Sequence, residues 1–144
     1  MQTYLPSPDY HESASILDTK TLGKQRIDTL DIMRVLITGE GFKDSPAILI
    51  WQGYEASLLD YQYAVCFEWH IMRAYEDTCL KETIDLFYKS PWLREDKSTP
   101  WWLGLDELHL SHQSNLLKTN PEYYEDMFPK GLRDDLPYYW PTDI

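Results

Sequence analysis

Lys20, Lys24 and Arg26 fall within seven residues that contain no acid, on a chain of formal charge −11. Grouped basic side chains can contact phosphates and so position a protein on a duplex. Asp28 follows Lys24 by four residues, and Lys20, Lys24, Asp28 and Asp31 are spaced four, four and three apart. On a helix these four side chains lie close to one face. The bland alternative is a solvated face with an ordinary Lys24–Asp28 pair, contributing only ~0.3–0.5 kcal/mol. Spacing alone leaves both readings open, and the solvated face is the simpler one.

Other chemistries find less support. His109 and His112 are three residues apart on a predicted helix and could face one ion, with Asp106 and Glu107 near them. A metal centre needs three or four convergent ligands, and these are not visible, so none is assigned. Glu68 and His70 stand two apart, on different helix faces. There is no Gly-x-Ser-x-Gly elbow and no phosphate-cradling glycine loop. Cys66 and Cys79 form no Cys-x-x-Cys pair and read as buried thiols in a reducing, cytoplasmic compartment. The stripe Trp51, Tyr54, Tyr61, Trp69 sits at helical spacing and reads as core before base-stacking platform.

The elements that must position these residues can be read from caps and periodicity. The sequence has 144 residues, 43% apolar and 15% aromatic, which suits one packed domain over residues 1–144 and argues against disorder. No signal peptide or membrane-length apolar run is expected. Pro6 and Pro8 keep the first residues extended as an N-terminal arm. Asp9 is placed to cap a short helix reaching Leu17, and Asp18 to cap a second running to about Thr38, where Gly39 stops it. Ser45-Pro46 starts a third. Ile48, Trp51, Glu55, Leu58, Gln62, Val65, Trp69 and Met72 then recur at threes and fours, which predicts one long central helix of ~30 residues, with Gly53 able to bend it. Leu80–Tyr88 and Asp106–Lys118 are further helices, with a loop over Ser90–Trp102 between them. Pro121 opens a last turn through Tyr123 and Tyr124. The tail from Pro129 carries three prolines and Tyr138-Tyr139-Trp140, and reads as irregular chain pinned by rings. Alternating strand patterns are nearly absent, so the fold class is all-α.

The stretch Leu22-Gly23-Lys24-Gln25-Arg26-Ile27-Asp28 resembles the first catalytic helix of the pyrimidine dimer DNA glycosylase family, the endonuclease V type, in its bacterial branch. Ser45-Pro46 with Trp51-Gln52-Gly53-Tyr54 resembles that family's central helix. Ser111-His112-Gln113-Ser114 through Tyr123-Tyr124, with Leu136-Pro137 to Pro141, resembles its C-terminal end. The resemblance implies an all-helical glycosylase and AP lyase that needs no cofactor. Its partner is double-stranded DNA with damaged or modified pyrimidines, and an N-terminal amine attacks the sugar C1′ to form a Schiff base. It makes Met1 the nucleophile, since the bulk of Gln2 should keep the initiator methionine in place. It makes Asp28, six residues after Leu22, the catalytic carboxylate, one methylene shorter than the family's Glu. Lys20, Lys24, Gln25, Arg26, Arg34 and Lys118 become the expected nucleic-acid contacts. An α-amine titrates near ~7.7–8 against ~10.4 for lysine, so more of it is neutral near pH 7. The strong acidity keeps two alternatives open: a non-catalytic binding protein of the same fold, and activity on a different lesion or hypermodified base.

Overall fold

Helix α1, Tyr10–Ile16, begins where Asp9 accepts a hydrogen bond from the Glu12 N–H at 2.9 Å. Helix α2, Thr19–Thr38, begins where Asp18 accepts one from the Thr21 N–H at 3.3 Å. Each cap satisfies an N–H that the first turn leaves without an intrahelical partner. α2 ends at Gly39, whose φ of 73° is the left-handed closure that a side chain resists. These features come from a computed structural model that describes residues 1–41, 44–90 and 98–141. Five more helices follow: α3 (Pro46–Leu49), α4 (Glu55–Phe67), α5 (Cys79–Phe87), α6 (Asp106–Thr119) and α7 (Pro121–Tyr124). The described residues contain seven α-helices and no strand, as an all-α fold requires. No helix among them is long and apolar enough to cross a membrane.

The long helix expected from Pro46 is interrupted. α3 lasts one turn, and the chain reverses at Gly53, with φ +88°, before α4 starts at Glu55. Glu55 accepts from the Gly53 N–H at 3.1 Å and so steadies the reversal. The three-and-four periodicity survives the break because Ile48 and Trp51 before it, and Leu58 and Val65 after it, enter one core. α4 continues into a π-helical turn, Glu68–Met72. Ser45 precedes α3 without a side-chain cap bond. Most of the loop expected over Ser90–Trp102 lies outside the described residues.

α2 lies against both α4 and α5, and α1 lies against α4. Trp51, Tyr61, Trp102 and Tyr124 are fully buried. Trp51 meets Trp102 edge-on with ring centroids 5.0 Å apart, and Tyr10 meets Tyr61 at 5.5 Å. All four residues read as an aromatic stripe, Trp51, Tyr54, Tyr61 and Trp69, pack on or within this core. The indole N–H groups are not orphaned: Trp102 donates to the Ile50 carbonyl and Trp51 to the Thr3 hydroxyl, both at 3.0 Å. Such pairing is what allows rings this large to be buried.

Two segments without regular structure are held by polar contacts. The N-terminal arm is buried from Gln2 to Ser7 except at Tyr4. His112 Nδ1 accepts from the Leu5 N–H at 2.8 Å, and His109 Nδ1 bonds the Leu5 carbonyl at 2.8 Å. The histidine pair that suggested a metal therefore clasps one residue of the arm, Leu5, from both sides. Gln113 donates to the Pro6 carbonyl at 2.9 Å. The C-terminal tail is irregular, but rings alone do not pin it. Ser114 accepts from the Leu136 N–H at 3.0 Å, Ser111 from the Tyr139 N–H at 3.1 Å, and Asn115 donates to the Leu136 carbonyl at 3.2 Å. α6 thus holds the arm with one set of side chains and the tail with another.

Candidate active site

Where arm, α2 and tail meet there is a cleft of roughly 630 Å³. Met1, Gln2 and Tyr4 enter it from the arm, and Lys20, Thr21, Lys24, Gln25 and Asp28 from α2. Tyr138 and Trp140 of the tail form an aromatic wall, with ring centroids 5.5 Å apart, and Thr119 and Asn120 close the end of α6. Tyr138 is fixed to the arm through its hydroxyl, 3.0 Å from that of Tyr4.

The Met1 amine and the Asp28 carboxylate thus belong to one cavity, lined also by Lys20 and Lys24. Asp28 is only 7% exposed, which removes the reading of a solvated Lys24–Asp28 pair. Burial raises its pKa, and this outweighs the opposing pull of Lys24, the α-amine and a hydrogen bond from the Gln2 backbone N–H. A carboxylate that is short of water and close to an amine is poised to accept a proton or balance a cation. Among the described residues no ion pair engages the Met1 amine itself. Asp18, the second carboxylate of the cleft, is otherwise occupied. Burial pushes its pKa up, but hydrogen bonds from Thr21 and Tyr124 bring it below the ordinary value.

The expected nucleic-acid contacts divide. Lys20 and Lys24 are exposed on the cleft side of α2. Lys118 is exposed, next in sequence to the cleft residue Thr119 but not itself among the lining residues. Gln25 lines the cleft but is only 1% exposed, and its amide is engaged by the arm. Arg26 points the other way. It donates to Asp77 at 2.7 Å and its guanidinium lies 4.2 Å from the centre of the Trp69 ring. Two residues separate it from Asp28, a rotation of about 200° at 3.6 residues per turn, so the two cannot share a face. Gly23 belongs to that same packing: a Cβ there would meet the Trp69 ring at 3.0 Å. Arg34 is exposed, paired with Asp31 at 2.7 Å, and outside the cleft lining. Arg26 and Arg34, expected with the others as nucleic-acid contacts, therefore do not line the cleft: helix phase turns the first away, and the second lies roughly 21 Å from Lys20 at 1.5 Å per residue.

The sequence reading missed Tyr4, Tyr138 and Trp140 as cleft residues. The aromatic tail was visible as composition, but nothing local showed which wall it would form. A second cavity, of roughly 600 Å³, lies among Tyr63, Cys66, Phe67, Ile71, Leu80 and Ile84. It is lined mainly by apolar groups, and its carboxylate, Asp77, is committed to Arg26.

A family model described as pyrimidine dimer DNA glycosylase matches residues 1–83. That stretch holds the arm, both capped N-terminal helices and the interrupted helix pair, and hence Met1, Lys20, Lys24 and Asp28. No curated protein and no solved structure matches the chain. With more than half of its length covered, the chain belongs to the pyrimidine dimer DNA glycosylase family.

Proposed function

We propose that this protein is a DNA repair glycosylase and AP lyase that excises damaged or modified pyrimidines through the Met1 α-amine. The observation that carries the reading is the shared cleft of Met1 and Asp28, flanked by Lys20 and Lys24. The neutral amine donates its lone pair to C1′ of the damaged nucleotide, the glycosidic bond breaks, and the departing base takes up a proton. Opening of the sugar ring leaves an imine between Met1 and C1′. Loss of a C2′ proton then expels the 3′ phosphate by β-elimination, and hydrolysis of the imine frees the enzyme. Asp28 has two tasks: it offsets the positive charge developing at the sugar, and it relays protons between amine, sugar and water. Lys20 and Lys24, with the exposed Lys118 as a further contact, hold phosphates on either side of the lesion. Tyr138 and Trp140 offer ring faces to a base displaced from the stack, a displacement that costs least for a damaged pair.

Borohydride reduction in the presence of a dimer-containing or abasic duplex tests this. The expected product is a covalent adduct at the α-amine of Met1, lost when the amine is acetylated and strongly reduced in Asp28→Asn. An adduct that survives both changes would falsify the assignment. The acidity of the chain favours one other reading, a non-catalytic member of the fold. Absence of both adduct and duplex binding at low salt, with the cleft occupied by another partner, supports that reading instead.

A further inference from the structure

We infer that Gln25 is a positioning residue whose buried amide brackets the N-terminal arm and so sets where the Met1 amine stands relative to Asp28; the inference rests on the proposed role of that amine.

The Gln25 side chain reaches the arm at two points. Its Nε2 donates to the Gln2 carbonyl at 2.8 Å, and its Oε1 accepts from the Tyr4 N–H at 2.9 Å. A planar amide has both groups in a fixed fork, so the bracket defines orientation as well as distance. Between the two points, Thr3 is fully buried and its hydroxyl accepts from the Trp51 indole at 3.0 Å. The Tyr61 hydroxyl, also fully buried, donates to the Tyr4 carbonyl at 2.8 Å, with Gln25 Oε1 at 2.9 Å as the alternative acceptor. The Gln2 carbonyl and the Tyr4 N–H and carbonyl thus end on side chains of α2 and α4, while the Thr3 N–H is satisfied within the arm by the Gln2 side chain at 2.8 Å.

Only one residue projects beyond the bracket. Met1 is 48% exposed, so packing of its own side chain does little to hold it. One Cα–Cα step of ~3.8 Å separates it from the clamped Gln2. Asp28 lies three residues after Gln25 on α2, about 4.5 Å along the helix axis. One helix thus carries both the carboxylate and the clamp that presents the amine to it. Releasing the clamp loosens Met1 while Lys20, Lys24 and Asp28 stay where α2 places them. The loss then falls on the chemical step and leaves duplex binding in place. A misplacement of ~1 Å at a reacting centre can slow a reaction by about 10²-fold.

Gln25→Ala and Gln25→Glu, made in the full chain, test this. For Gln25→Ala the expected result is a single-turnover trapping rate on an abasic duplex reduced ~30-fold or more, with duplex affinity within about threefold of wild type. Hydrogen exchange at the Tyr4 amide should rise. Gln25→Glu keeps the shape but loses the donor to the Gln2 carbonyl. Its deficit should be largest at high pH and shrink as the new carboxyl is protonated and regains that donor. Wild-type trapping by a Gln25→Ala protein that melts within a few degrees of wild type overturns the inference. So does weakened duplex affinity with normal trapping at saturation, which would make Gln25 a DNA contact. Should the wild-type protein itself form no adduct, the glycosylase reading fails, and the bracket is then judged on the arm alone. In that case, unchanged Tyr4 exchange and unchanged reductive methylation of the α-amine by formaldehyde in Gln25→Ala refute it.

Discussion

In the role proposed for Asp28, function and stability pull in opposite directions. Burial raises its pKa, so the folded protein favours the protonated form. Its contribution to stability is therefore fully present below the ordinary carboxylate range and is lost as pH rises through the folded value. At pH 7 the ionised group opposes folding. Asp28→Asn is expected to melt higher than wild type at pH 7, while its trapping rate falls ~10²-fold or more. A calorimetric scan and a borohydride assay on the same preparation check both halves, and a lower melting temperature at pH 7 would contradict the first. His112 has the opposite linkage. Burial, aided by neighbouring His109, pushes its ring from 6.5 down to about 3. The unfolded chain takes up a proton below 6.5 that the folded chain refuses, so stability present at neutral pH is lost as pH falls from about 6.5 toward 3. At pH 5 this amounts to about 2 kcal/mol. His112→Asn can still offer an acceptor to the Leu5 N–H but does not titrate there. Urea unfolding at pH 7 and pH 5 should show a smaller loss for the variant.

At the scale of an element, α2 separates two kinds of basic residue that sequence proximity had grouped. Lys20 and Lys24 face the cleft with Asp28, whereas Arg26, two residues from Asp28, is built into the packing of Trp69, Asp77 and Gly23. Arg26→Ala leaves Asp77 without its cation in a buried setting, and breaking such a pair costs about 3 kcal/mol. The salt dependence of duplex binding should not change. Chemical unfolding together with a salt titration separates this from a phosphate contact, whose loss would flatten the salt slope while leaving stability nearly intact. The interrupted helix teaches a related lesson. A period of three and four residues continued across Gly53 because both helices insert into one core, so periodicity recorded burial correctly from Ile48 to Val65, failed at the exposed Met72, and recorded backbone continuity incorrectly.

For the molecule as a whole, a charge of −11 must coexist with binding to a polyanion. The cleft concentrates Lys20 and Lys24, and Lys118 is exposed next in sequence to its residue Thr119. Two or three phosphate contacts predict that the logarithm of the binding constant falls against the logarithm of salt concentration with a slope of about −2 to −3. Replacing Lys20 and Lys24 together by Gln should reduce that slope by about 2. A slope unchanged by the double substitution would place the phosphate contacts elsewhere.

Sequence alone determined the features that local chemistry controls. Asp9 and Asp18 announced helix starts because a short carboxylate satisfies first-turn N–H groups, and Gly39 announced a stop because it accepts a positive φ. The Lys20–Lys24–Asp28 face followed from helix phase, and the opening prolines gave the arm. Tertiary structure decided what depends on partners distant along the chain. It tied the amide of Gln25, expected from sequence as a DNA contact, to the arm 21 residues away at Tyr4. It made His109 and His112 a clasp for Leu5, more than 100 residues away. It brought the aromatic tail across to Tyr4 as a cleft wall. A buried polar side chain takes its role from whichever unsatisfied group it meets, and the fold alone brings those groups together.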